Sequence, residues 1–130
     1  MASVIIEELL DCPAEKAWAL LRNVGAAAEA FPGVLLSSTL DGTVRTVRFA
    51  NGTVAQEQIV TVDDDRMRMA YAVKGGRFTH HSASMQIVRQ DARRCLFIWL
   101  SDFLPDEAAP IVRGLVVQGT AAFKRTAEAG

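Results

Sequence analysis

An α+β fold is predicted: a curved antiparallel β-sheet wrapped around a long C-terminal helix, with two short helices between strands 1 and 2. Three observations predict it. The apolar run Val4 to Leu10 meets Asp11-Cys12-Pro13-Ala14-Glu15 and turns into a helix bearing Trp18 and Leu21. Nearly everything from Leu35 to Phe103 then reads as strand. A second long helix, opened by Asp106-Glu107, closes the chain. A sheet that curves around one helix leaves space between the two, so the pattern predicts a pocket.

Each element has a local reason. Pro13 sits at the first helical position, where a missing N–H loses nothing, and Glu15 follows near the positive end of the helix dipole. Ala14, Ala17, Trp18 and Leu21 form one apolar face against Glu15, Lys16 and Arg22. Gly25 is expected to stop this helix, and Ala26 to Phe31 to form a second, ended by Pro32-Gly33. Val44 to Phe49 and Val54 to Val62 flank Asn51-Gly52, a strong hairpin signal. Asp63-Asp64-Asp65, Gly75-Gly76 and Gln90-Asp91-Ala92 mark further turns. They bound strands over residues 66–73, 78–88 and 95–103. In the closing helix, Ile111, Leu115, Gly119 and Ala122 lie on one stripe, with Val112, Val116 and Phe123 beside it.

Composition bounds the function. At 130 residues the chain reads as a single domain, 1–130, large enough for a real core. Half the residues are hydrophobic and the net charge is −1, which leaves no electrostatic case for nucleic acid or a membrane surface. Arg93-Arg94, the densest basic cluster, reads as a solvated turn. No apolar run is long enough to span a bilayer, so no membrane insertion is expected. Met1-Ala2-Ser3 lacks a charged leader and runs straight into a strand, so no signal peptide is expected. Cys12 and Cys95 form no CxxC pair and read as reduced, partly buried thiols of a cytoplasmic protein.

Strand alternation assigns faces. Met67, Met69, Tyr71 and Val73 share one face; His81, Ala83, Met85 and Ile87 share another, which excludes His80. Phe97, Trp99, Ser101 and Phe103 share a third. The 43–62 hairpin depends on register. A two-residue Asn51-Gly52 loop puts Glu57 opposite Thr46. A three-residue loop, with Gly52 as a left-handed bulge, pairs Phe49 with Thr53 and sets Arg45 directly opposite Glu57. The second register is preferred, because it places opposite charges across the ladder and gives both strands one coherent face.

The segments DCPAEKAWALLRNV and GTVRTVRFANGT…EQIVTVDDDRMRMAYAV, with the closing helix, resemble the START/SRPBCC superfamily. That is the helix-grip fold, and the likeness covers almost the whole chain. Within it the chain is most similar to bacterial members of the polyketide cyclase/dehydrase and lipid transport family, and more distantly to the plant abscisic-acid receptors. The resemblance implies an Arg and a Glu pointing into the cavity at Arg45 and Glu57. It also shows departures. The receptors' longer gating loop is here the tight turn Ala50-Asn51-Gly52-Thr53, their ligand-carboxylate lysine falls on Gly33, and His81 falls where relatives commonly have a tyrosine. The first two argue against that hormone and its gate.

The expected pocket is lined by Val47, Phe49, Met69, Tyr71, Phe78, Met85, Phe97 and Trp99, and from the helix by Ile111 and Leu115. Arg45, Glu57, Tyr71, His81 and Ser101 are placed to orient a ligand. Apolar walls with a few convergent polar groups describe a small-molecule site. The leading reading is binding of a small, largely hydrophobic ligand, lipid-like or aromatic. The alternative is a cyclase, dehydratase or lyase acting on a polyketide-like or aromatic substrate. Glu57 and His81 would then be the acid/base pair and Arg45 the stabiliser of enolate charge. Against those roles stand a plain Arg45–Glu57 salt bridge and a histidine that merely lines the wall. Tyr71 and Trp99 read equally as stacking platforms or as core, and Gly114 and Gly119 either make room for a ligand or let the helix pack close. No cofactor is implied. No metal is expected, because His80 and His81 point to opposite faces and no Cys or Asp lies at a ligand spacing. Ser82 and Ser84 face away from His81, so no hydrolase triad is expected. A homodimer is expected through Leu96, Ile98 and Leu100, which would form an apolar stripe on the convex side unless Arg68 or Gln86 lies over it.

Overall fold

The computed structural model describes residues 2–130. Seven antiparallel strands form one curved sheet in the order β1-β7-β6-β5-β4-β3-β2. They are β1 (Ala2–Leu10), β2 (Leu35–Asp41), β3 (Val44–Phe49), β4 (Val54–Asp63), β5 (Arg68–Lys74), β6 (His80–Arg89) and β7 (Cys95–Leu104). Helices α1 (Ala14–Arg22) and α2 (Ala27–Ala30) fill the crossover from β1 to β2, and α3 (Ala109–Glu128) lies in the concave side. The crossover carries the chain from one edge of the sheet to the other, and every later strand pairs with its predecessor. This is the helix-grip arrangement.

Helix α1 starts one residue later than expected, with Pro13 just outside it in an extended conformation. It ends at Arg22, before Gly25, which sits inside a short 3₁₀ turn, Val24–Ala26. A Cβ on Gly25 would lie 3.3 Å from Leu40 Cβ, so the glycine serves close packing rather than termination. Helix α1 buries Ala14, Ala17, Trp18 and Leu21. Its polar edge is tied to the β4–β5 turn: the Trp18 indole N–H and Arg22 Nε both donate to Asp64 Oδ1, at 2.9 and 2.8 Å.

The hairpin register is the bulged one. Arg45 pairs with Glu57 and Val47 with Ala55. The Phe49 N–H donates to the Thr53 carbonyl at 2.8 Å, and Gly52 adopts φ +92°, a conformation that favours glycine. Strand β6 begins at His80, two residues after Phe78, because Gly75 and Gly76 both take positive φ and Phe78 belongs to the loop.

The core is the concave face of the sheet under α3. The helix meets it through Val112, Val116, Gly119, Thr120, Phe123 and Ala127, all buried. Gly119 and Ala122 of the expected stripe are buried, whereas at its start Val112 and Val116 are buried in place of Ile111, which is 54% exposed, and Leu115, which is half-buried. Aromatic side chains seat the far half of the helix. Phe123 packs 4.7 Å from Phe97 and 5.5 Å from Phe31, centroid to centroid. A Cβ on Gly119 would come within 2.5 Å of the Trp99 ring. Gly119 thus seats Trp99, and the helix can sit no other way without losing that contact.

Two expectations about single residues are corrected here. Met69 and Phe97 do not line the cavity. Phe97 pairs with Ile87, one row beyond the Met85–Trp99 pair that still reaches the cavity, and Met69, although beside Met85, is covered by the core. Met69 is 1% exposed and Phe97 is fully buried under Phe123. The thiols also meet more closely than their spacing suggests. Cys95 pairs with Leu10, two residues before Cys12, and both cysteines are buried and free. Burial pushes both thiols up, Cys95 to about 12, so neither is a thiolate at neutral pH.

On the convex face, Leu96, Ile98 and Leu100 are each half-buried. Their stripe is broader than expected, because Leu9 and Val88 flank Leu96, and Ile5 flanks Leu100. Ile5, Leu9 and Val88 are exposed. Gln86 stands beside Ile98, but its amide donates to the Arg66 carbonyl at 3.2 Å, toward β5 and away from the stripe. No helix of the described chain is long and apolar enough to cross a membrane.

Candidate functional site

A cavity of about 460 Å³ lies between the sheet and the first half of α3. That is within the range of small-molecule sites. Sheet residues Arg45, Val47, Phe49, Ala55, Glu57, Tyr71, Val73, His81, Met85, Trp99 and Ser101 line it, with Phe78 from the β5–β6 loop. Helix α3 contributes Pro110, Ile111, Val112, Gly114, Leu115, Val116 and Gln118. A Cβ on Gly114 would meet nothing within 4 Å, so this glycine leaves space where Gly119 fills it.

The polar groups come from neighbouring rows of the sheet. Arg45, Glu57 and Val73 are register partners across β3, β4 and β5. His81 pairs with Phe103, one step beyond the Ala72–Ser82 pair that joins β5 to β6. Glu57 and His81 therefore stand two strand spacings apart, roughly 10 Å along the sheet. The adjacent row runs Ile59–Tyr71–Ala83–Ser101, with a small alanine between two polar side chains.

Arg45 and Glu57 are buried together, 6% and 7% exposed. Arg45 Nε donates to Glu57 Oε1 at 2.8 Å, and Nη2 lies 2.7 Å from the same oxygen. Arg45 Nη1 donates to the Val24 carbonyl at 3.2 Å, and the guanidinium lies 5.2 Å from the Tyr71 ring centroid. The arginine is thus held from three sides. Burial pushes the Glu57 carboxyl above the ordinary carboxylate range, and the Arg45 guanidinium pulls against it. Burial, together with the nearby Glu57 carboxylate, also raises Tyr71 above the usual phenol range, so Tyr71 presents a neutral hydroxyl.

His81 lies half-buried against Phe78, with ring centroids 4.4 Å apart, and its Nε2 is 2.9 Å from Ser101 Oγ. Nδ1 is buried without a partner among the described residues. An orphaned buried N–H is dearer than an orphaned lone pair. The proton is therefore assigned to Nε2, donating to Ser101. Burial holds the His81 pKa below 6.5, so the ring is neutral at neutral pH. His80 is exposed on the other face. Trp99 Nε1 lies beside the Tyr71 hydroxyl without hydrogen-bond geometry. Among the described residues no group of three or more His, Cys, Asp or Glu side chains is arranged to hold a metal ion.

Periodicity missed part of the wall. Ala27, Phe31, Val34 and Leu35 line the cavity from the segment before and into β2, and Arg77 and Asn51 from turns. Loop residues have no repeating face to read. The only signal was the apolar character of Phe31, Val34 and Leu35 around Pro32-Gly33.

Solved structures share the architecture. An uncharacterised protein from Bacillus thuringiensis superposes with a TM-score of 0.87 at 19% identity, over 95% of this chain and 97% of that one. Truncated norcoclaurine synthase from Thalictrum flavum gives 0.75 at 15% identity, over 95% and 91%. The Zhui aromatase/cyclase from Streptomyces sp. R1128 gives 0.74 at 18% identity, over 97% and 90%. At these identities the likeness establishes the fold. No curated protein matches the sequence. The family profile described as polyketide cyclase/dehydrase and lipid transport matches residues 1–128, and the chain belongs to that family.

Proposed function

We propose that this protein binds a small, largely hydrophobic molecule, lipid-like or aromatic, between its sheet and α3. The observation that carries this reading is the cavity itself. It has predominantly apolar walls, a few polar groups held in place by the protein, and a glycine, Gly114, in its lining with open space beside it. The family supports it in general terms. So does norcoclaurine synthase, a neighbour of the same fold whose structure is known in complex with dopamine and hydroxybenzaldehyde. The test is titration of the neutral fluorescent probe N-phenyl-1-naphthylamine into the native chain and into Gly114→Phe. The native chain is expected to bind it, and the variant to lose about tenfold or more in affinity. The variant's fold should hold, because glycine is a poor helix former and its replacement gains up to ~1 kcal/mol of helix propensity. Equal binding by both proteins would place the probe elsewhere.

An enzymatic reading, as a cyclase, dehydratase or lyase, rests on one feature: the Glu57 carboxylate reaches the cavity. The expected partner, His81, also lines the cavity, on the far side of Val73 from Glu57 and with its proton assigned to Ser101.

We further propose that the convex stripe of Ile5, Leu9, Val88, Leu96, Ile98 and Leu100 joins two copies, burying an apolar face that water would otherwise cover. Light scattering at micromolar concentration should give twice the 14.1 kDa chain mass. The chain mass alone would remove the dimer, and a dimer that survives Ile98→Lys would place its contact elsewhere. The free, buried thiols fit the reducing cytoplasm in which we place the protein.

A further inference from the structure

We propose that the cavity grips its ligand by an uncharged hydroxyl, a phenol or an alcohol that donates a hydrogen bond to Glu57 Oε2, and that it rejects carboxylates. The proposal rests on the ligand-binding reading above and specifies the polar end of the ligand. Both Arg45 contacts fall on Oε1, at 2.8 and 2.7 Å, and no described residue donates a hydrogen bond to Oε2. Glu57 is 7% exposed and forms part of the cavity wall, and Oε2 is not among the buried polar atoms left without a partner, so it is an acceptor reachable from the cavity, where a ligand hydroxyl would take the place of water. Two Arg45 N–H contacts favour the charged form of Glu57 against the upward pull of burial, and an ionised carboxylate is acceptor-only and asks for an N–H or O–H.

The same geometry turns anions away. A carboxylate ligand is recognised best by the free fork of an arginine. Here Nε and Nη2 are committed to Glu57 and Nη1 to the Val24 carbonyl. An incoming carboxylate would place acceptor against acceptor and lose its own hydration without return. His81 supplies no compensating cation, since its Nε2 proton is assigned to Ser101, and Arg77, the other cation of the lining, comes from the β5–β6 turn and not from the Arg45–Glu57 row. An ammonium group would find Oε2 but would be stripped of water beside Arg45, whose charge already balances that carboxylate. A hydroxyl supplies the missing donor and adds no charge.

The experiment is displacement of N-phenyl-1-naphthylamine from the full chain at neutral pH by three compounds of one ring system: 2-naphthol, 2-naphthoate and 2-naphthylmethylammonium. The expected result is that 2-naphthol displaces the probe at a concentration about tenfold or more below either ion. In Glu57→Gln, which offers an amide donor and frees the Arg45 charge, 2-naphthoate should overtake 2-naphthol. Should that variant not fold, the ranking in the native chain decides alone. If 2-naphthoate or the ammonium compound matches 2-naphthol, the hydroxyl assignment is overturned while the cavity reading stands. If N-phenyl-1-naphthylamine itself fails to bind the native chain, the cavity reading falls and the hydroxyl assignment with it.

Discussion

Arg45→Met is expected to destabilise the fold by about 3–5 kcal/mol, read as a fall in the urea midpoint. The variant removes one half of a buried ion pair and leaves the Glu57 carboxylate at 7% exposure with no partner. The Val24 carbonyl and the face of Tyr71 lose their contacts as well. Replacing both members, Arg45→Met with Glu57→Leu, should recover most of the loss, since a well-packed apolar pair is often as stable as a buried salt bridge. The deficit of the single variant has a definite pH dependence. Burial raises the folded-state pKa of Glu57 above its unfolded value. Between those two values the folded chain binds more protons than the unfolded chain, so stability rises as pH falls through the folded-state pKa. The deficit should therefore be largest at high pH and shrink on acidification. A loss under about 1 kcal/mol, the size of an exposed pair, would show that water reaches these groups.

Phe97→Ala is expected to lower stability by about 3–5 kcal/mol while leaving affinity for N-phenyl-1-naphthylamine unchanged. Phe97 is fully buried, packs 4.7 Å from Phe123 and 6.3 Å from Trp99, and lies outside the cavity wall. The two measurements together separate core from site. A variant that folds well but loses the probe would restore Phe97 to the site.

Much of this architecture was legible in the chain, for identifiable reasons. Strand period and turn residues gave β3, β4 and β7 nearly to the residue, because Asn51-Gly52 and the Gln90-Asp91-Ala92 cluster punctuate them sharply. Charge complementarity chose the bulged hairpin, in which Arg45 meets Glu57. Alternation assigns a face but not a position along it. It therefore grouped Met69 and Phe97 with Tyr71 and Trp99, although α3 covers one end of that face and the cavity opens over the other. Helix rotation was illegible for a similar reason. Ile111–Leu115 and Val112–Val116 have the same spacing, and Gly119 follows either pair by one helical step, so spacing does not say which pair is buried. The commitment of Arg45 Nη1 to the Val24 carbonyl depends on a 3₁₀ turn with no sequence period at all.

The measurement that tests the central claim most directly is a methyl NMR titration of the native chain with N-phenyl-1-naphthylamine. Saturable shifts are predicted at Val47, Ala55, Val73 and Leu115, which line the cavity, with Ile5, Leu9 and Leu96 on the convex face unmoved. Shifts confined to the convex residues, or none at all, would contradict the account.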